Sequence, residues 1–168
     1  MTEATARPGW TGGERFPVLA ARDLERRSCA LPEAFTGTAN LVLLAFRRNH
    51  QSIVDAWVEW HRSAAAERPG FECYEVPVLG AVWTPARSFI DGGMAQAVRE
   101  SHARQHTLTV YTNVAKLTYA LDIADTGTVT AILLDGGSRI LWRTTGAPDP
   151  AATTELLQAI DPIDASGA

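Results

Sequence analysis

Asn40–His61, NLVLLAFRRNHQSIVDAWVEWH, changes its hydrophobic period halfway along. Leu41 to Phe46 is an unbroken apolar run without charge. Such a run suits a strand covered on both faces, as in a parallel sheet sandwiched by helices. From Ile53 the apolar residues Ile53, Val54, Trp57, Trp60 and Ala64 recur at helical spacing, with Asp55, Glu59 and Arg62 between them. A buried strand therefore feeds an amphipathic helix through the polar turn Arg47-Arg48-Asn49-His50. Asn49 is the expected N-cap. In an α/β fold this turn, at a strand's carboxyl end and a helix's amino end, is where a site is expected.

Working outward, Arg68-Pro69-Gly70 stops that helix. Phe71 to Val78 reads as a second parallel strand, with Pro77 ending its pairing. Strand, helix and strand within about 40 residues make a βαβ unit. Leu79 to Gly93 reads as an irregular loop or short helix, followed by a helix from about Met94 to Ala103. A long insertion of this kind is often where specificity resides. Thr107 to Tyr111 is a further strand, and Asn113 caps a helix from Val114 to Leu121. Thr128–Leu134 and Arg139–Thr144 flank Asp135-Gly136-Gly137, a hairpin signal. Asp149-Pro150 starts a last helix that runs to about Ile160, where Asp161-Pro162 stops it.

On the amino-terminal side, Phe16 to Leu19 reads as a short edge strand and Arg22 to Ala30 holds another extended piece. Leu31 to Phe35 reads as one helical turn, with Pro32 at its first position. The expected layout is a flexible tail over 1–16, one domain over 17–161 and a flexible carboxyl end over 162–168.

The bulk properties exclude several functions. The chain has 168 residues, 46% hydrophobic and 20% charged, enough for one domain with a sizeable core. A net charge of -4 without a long basic run gives nucleic-acid binding no electrostatic support. No apolar segment approaches the roughly 20 residues that a membrane helix needs. No signal-peptide pattern is visible, so the expected location is the cytoplasm. Cys29 and Cys73 form neither a disulfide framework nor a zinc pattern. His102, Glu100 and His106 lack metal-ligand spacing. The expected cofactor and metal content is none.

The order strand, helix, strand, helical region, strand hairpin and helix resembles the thioredoxin-like (redoxin) superfamily. LPEAFTGTANLVLLAF (31–46) is similar to the opening of redoxins, where a short "L-x-D-F-x-G" turn leads into an apolar strand. GTVTAILLDGGSRILWRTTG (127–146) resembles their closing hairpin. Within the superfamily, AFRRNHQSIVDAW, CYEVPVL and the hairpin look most like the mitochondrial ATP synthase assembly factors of this fold. The resemblance spans about Phe16 to Ile160. It implies a three-layer α/β/α thioredoxin-like fold with a mixed central sheet.

The departures from that family govern the chemistry. Thioredoxins place Cys-x-x-Cys between this strand and this helix, because the helix N-terminus stabilises a thiolate. Here those positions fall on Arg48-Asn49-His50-Gln51. The peroxiredoxin Thr-x-x-Cys is absent too, and the family's cis-proline aligns with Val129. The expectation is a redox-inactive domain acting as a protein-binding or assembly module, with an unidentified protein or a second copy of the chain as partner.

Two alternatives stand beside it. Cys29 and Cys73, if neighbours across the sheet, could serve a divergent oxidoreductase or thiol sensor. Arg47, Arg48, Asn49 and His50 could hold a small anion at the helix N-terminus, unless the arginines are taken up by Asp55, Glu59 or Glu75. The candidate binding surface joins Arg47–His50 to Trp83, Phe89 and Asp91 in the insertion and to Thr112 and Asn113.

Overall fold

A computed structural model describes residues 13–80 and 106–166. Trp83, Phe89, Asp91, Glu100, His102 and the helix expected over 94–103 lie outside the described residues.

The apolar run forms strand β3, Ala39–Ala45, and all seven of its residues are buried. It pairs in parallel with β4, Phe71–Gly80, and antiparallel with β6, Thr130–Asp135. Both of its edges are therefore bonded and both of its faces covered, which is why no polar alternation marks it. Ala39, Leu41, Leu43 and Ala45 meet one apolar cluster, whereas Val42 and Leu44 meet the other. Among the described residues the sheet has seven strands in the order β2-β1-β5-β4-β3-β6-β7. β1 is Leu19–Arg22, β2 Ser28–Leu31, β5 Thr109–Thr112 and β7 Ile140–Thr145.

Helices close both faces. α1, Gln51–Ala65, and α3, Pro150–Ser166, cover one face. Val54 and Trp57 from α1, and Ala152, Leu156 and Ile160 from α3, pack there with Trp142 of β7. Trp57 Nε1 donates to the Gly146 carbonyl at 2.8 Å, which ties α1 to the connection between β7 and α3. The other face carries α2, Val114–Ala120, through Leu117, together with Leu121, Ile123, Phe16, Leu31 and Phe35. The expected three-layer arrangement with a mixed sheet is therefore present, and the βαβ unit is β3-α1-β4.

Several boundaries differ from the sequence reading. The amino-terminal region is a β1–β2 hairpin, and the residues 16–19 expected as an edge strand mostly precede it. Asp23 organises its turn: Oδ1 accepts the backbone N–H groups of Glu25 and Arg27, each at 2.9 Å, and Oδ2 accepts Arg27 Nε at 2.9 Å. Phe16 is only 2% exposed and stacks edge-on against Phe35, which anchors the start of the described chain to the core. Leu31 closes β2, and the expected turn after it is a single hydrogen-bonded one over Pro32–Ala34, in which the Phe35 N–H donates to the Pro32 carbonyl at 3.0 Å.

Pro77 does not end β4. It is the last β4 residue opposite β3, facing Ala45, and from Val78 onward β4 pairs with β5. β4 already bridges Thr107 at Glu75, so Pro77 lies in a strand bonded on both sides and its missing N–H forfeits about one ladder bond. Likewise α3 continues through Pro162 to Ser166. In a last turn a proline forfeits about one hydrogen bond. Ile163 still packs on the core, and Arg68 lies 3.9 Å from Asp161 and 3.6 Å from Asp164. No helix among the described residues is long and apolar enough to cross a membrane.

Candidate functional site

The carboxyl ends of the parallel strands β3, β4 and β5 lie along one edge of the sheet. Three connections leave from that edge: the turn after Ala45, the chain after Gly80, and Thr112-Asn113. Asn113 does what its sequence position suggests, since Oδ1 accepts the Lys116 N–H at 3.1 Å and caps α2. That bond commits Asn113 to structure, and Thr112 ends β5 half-buried beside it.

The turn after β3 is built around His50. Arg48–His50 forms one turn of 3-10 helix that runs directly into α1. Asn49 is exposed and caps nothing, because Arg47 occupies the cap position of the continuous helix and no side chain caps it. His50 instead folds back, and its Nδ1 accepts the Phe46 N–H at 3.1 Å. A nitrogen that accepts carries no proton, which assigns the neutral ring's hydrogen to Nε2. His50 is 2% exposed, and its Nε2 is buried with no hydrogen-bond partner among the described residues.

Arg47 and Arg48 are exposed and make no ion pair among the described residues. The acids expected to neutralise them are engaged elsewhere. Asp55 accepts from Gln51 Nε2 at 2.9 Å, and Glu59 meets Arg62 at 3.4 Å. Glu75 interacts with Gln51 and Asp55. The first turn of α1 contains no acidic residue, so the positive end of its dipole is not offset within the helix.

The two cysteines are not brought together. Cys29 packs with the α2-side cluster and Cys73 with the α1-side cluster, so they lie on opposite faces of the sheet. Cys29 faces Ala21 in β1, Ala21 faces Val110 in β5, and Val110 faces Val78 in β4. Three strand spacings and five residues of offset put the two thiols on the order of 20 Å apart. A disulfide needs Cα atoms about 4.4–6.8 Å apart, so the pair has no basis in this geometry. Burial, and secondarily Asp23, pushes the Cys29 thiol up. Burial, and then Glu75 and Glu72, pushes Cys73 up. Neither has the cationic environment that makes a thiolate.

Val129, where the sequence reading places the redoxin cis-proline, is fully buried and its carbonyl accepts the Gly146 N–H at 2.9 Å. The one cis bond among the described residues is Leu31–Pro32.

Sequence reasoning named Glu75 only as a partner for the arginines and missed its burial. It sits in the middle of β4, on the same face as Cys73 under α1, and burial raises its carboxyl to about 7; Asp55 adds to the shift and a Gln51 hydrogen bond opposes it. A signal was available, because an acid inside the apolar run FECYEVPV must point toward one of the two covered faces. His106 pairs with Glu72 at 3.1 Å and stacks on Tyr74 at 4.7 Å. His61 Nε2 donates to the Phe71 carbonyl at 2.8 Å, and burial lowers its pKa. These histidines lie near the amino end of β4, away from the turn. Among the described residues no cluster of three ligands could hold a metal ion.

No family model matches the chain, and no curated protein matches it by sequence. Solved structures do match. A hypothetical protein from Sinorhizobium meliloti is 16% identical with a TM-score of 0.59, covering 95% of this chain and 87% of its own. A thiol:disulfide interchange protein from a Bacteroides species is 20% identical with a TM-score of 0.55, over 79% of this chain and 80% of its own. BsSco, a member of the Sco family of cytochrome c oxidase assembly proteins, is 10% identical with a TM-score of 0.58, over 92% and 96%. At these identities the likeness is one of fold, and the chain has a thioredoxin-like fold.

Proposed function

We propose that the chain is a thioredoxin-like domain that binds a protein partner without thiol–disulfide exchange, in the manner of an assembly or chaperone module. One observation carries this reading. The β3–α1 turn, where the fold presents its reactive thiols, holds Arg48-Asn49-His50-Gln51, and the chain's two cysteines lie far from it on opposite faces. The turn keeps exposed Arg47, Arg48 and Asn49 and carries no cysteine nucleophile. The likeness of AFRRNHQSIVDAW and CYEVPVL to ATP synthase assembly factors, and the fold shared with BsSco, favour an assembly role over a degraded enzyme. Trp83, Phe89 and Asp91 belong to the proposed surface by their sequence position in the connection that leaves the same edge.

The test is paired. Reduction of a disulfide substrate by the chain should not exceed the rate with dithiothreitol alone, and Cys29→Ser/Cys73→Ser should behave like the parent. A partner captured from the native host should then reconstitute a stoichiometric complex from purified components under reducing conditions. Thiol-dependent turnover that disappears in the double variant would replace this reading with the oxidoreductase one. A complex that forms only between copies of this chain would make the partner a second copy.

A further inference from the structure

We infer that the β3–α1 turn is an oxyanion site, in which a carboxylate or phosphate oxygen accepts the His50 Nε2 hydrogen beside the Arg47 and Arg48 guanidinium groups. This rests on the binding reading above and specifies its chemistry.

The first observation is an unmet donor. His50 is held by the Phe46 N–H at Nδ1, so its other nitrogen is fixed in place on the far side of the ring. That Nε2–H is buried and has no acceptor among the described residues. A buried donor left without a partner is costly, and folded proteins rarely tolerate one without a reason. The group that completes it must bring a lone pair.

The second observation is the charge around it. Arg47 and Arg48 are exposed, and Asp55, Glu59 and Glu75 have other partners. The N–H groups of Arg48 and Asn49 open a helix that continues unbroken to Ala65, and the first residues of a helix have no intrahelical acceptors. No side chain caps this end and no acid lies in the first turn of α1. Two cations, a positive helix end and an unmet N–H select a negative oxygen over a neutral one. Nε2 is buried, so admitting the oxygen requires covering side chains to change rotamer.

The same oxygen chemistry is offered by a free oxyanion and by an acidic side chain of a protein partner. The experiment separates them. Inorganic phosphate and an end-capped oligoglutamate peptide are each titrated into the full chain at constant chloride. His50 ring signals are followed by NMR and the melting temperature by calorimetry. Binding should shift the Nε2 resonance and raise the melting temperature. In Arg47→Gln/Arg48→Gln, whose changes are both on exposed residues, the apparent Kd should weaken roughly tenfold. His50→Asn keeps an acceptor for Phe46 and should also weaken binding while the fold is retained.

A response to the peptide assigns the oxygen to a partner's acidic residue, and a response to phosphate alone assigns it to a small oxyanion. Ring signals unmoved by both probes, or the same affinity in the parent and in Arg47→Gln/Arg48→Gln, would overturn the site. A partner complex that survives that result would leave the binding reading intact and refute only its anionic chemistry.

Discussion

His50 and Phe46 are joined by one hydrogen bond, from the Phe46 N–H to Nδ1 at 3.1 Å, that closes the turn between β3 and α1. Phe46 is the first residue past the end of β3, so its N–H has left the sheet. The imidazole supplies the acceptor that the ladder no longer does.

His50→Leu should therefore destabilise the fold, since it buries the Phe46 N–H without an acceptor. The expected loss is about 1–3 kcal/mol. His50→Asn should lose less, because a side-chain oxygen can take over the bond. Urea midpoints of the two variants, compared at equal slope, check the ordering. Equal losses would mean that the ring's volume, not its nitrogen, holds the turn.

The thiols give a second prediction. Cys73 is packed against the α1-side core and its thiol is raised by burial. Cys29, on an edge strand, is partly exposed and also raised. Alkylation of the native protein near neutral pH should be slow at both, and slower at Cys73. Mild peroxide followed by intact-mass measurement should show no loss of two hydrogens within one chain. An intramolecular disulfide in the folded state would require the strands between β2 and β4 to be rearranged.

Glu75 makes stability depend on pH with a defined sign. Its folded carboxyl is raised to about 7 from an unfolded value of 4.5. The folded state therefore binds the proton more tightly, and this contribution is fully present below pH 4.5. It falls as pH rises toward 7 and is lost above that. Glu75→Gln should match the parent near pH 4.5 and exceed it near pH 8 by about 1–3 kcal/mol. Chemical denaturation at the two pH values gives the comparison. A parent that gains on the variant as pH rises would mean that Glu75 is ionised and satisfied in the folded state. Asp55 is the like charge facing it, with Gln51 between them, so Asp55→Asn should lower the Glu75 carboxyl and narrow the window.

The sheet interior was legible because burial on both faces writes itself as an uninterrupted apolar run, as in Leu41–Phe46. The βαβ unit and the closing hairpin followed from changes of period and from Asp135-Gly136-Gly137. The limits of that reading have physical causes. Pro77 reads as a stop in a one-dimensional scan, yet β4 runs through it, because pairing on the β5 side begins at Glu75 and resumes at Val78. Pro162 reads as a helix terminator, but Ile163 and Arg68 hold the following turn. Asn49 has the residue type of a cap, and it loses that role to a 3-10 turn that begins one residue earlier. At the site, the turn could be located from sequence. The lack of acid partners for Arg47 and Arg48, and the unmet nitrogen of His50, depend on long-range placement that no local pattern encodes.

Gly37 offers a test of how the apolar strand is entered. A Cβ there would lie 2.7 Å from the Ala39 carbonyl oxygen, 2.7 Å from Asn40 Oδ1 and 2.7 Å from the Gly70 carbonyl oxygen. Two of these are backbone atoms, and Asn40 is itself fixed, since Oδ1 accepts the Gly37 N–H at 2.9 Å and Nδ2 donates to the Gly37 carbonyl at 3.0 Å. The Gly70 carbonyl also accepts the N–H groups of Thr38 and Ala39, at 2.9 and 3.3 Å. None of the three oxygens can retreat without breaking a bond that seats β3 beside the start of β4. Gly37→Ala should therefore cost about 2 kcal/mol or more, as overpacking against fixed atoms does. Asn40→Leu should cost a similar amount for a different reason, because it leaves both polar groups of Gly37 unpaired in a buried place. If the two changes act on the same interlock, the double variant should lose less than the sum of the single losses. Full additivity in denaturant melts would show that the clash at Gly37 is relieved locally and that the Asn40 bonds survive it.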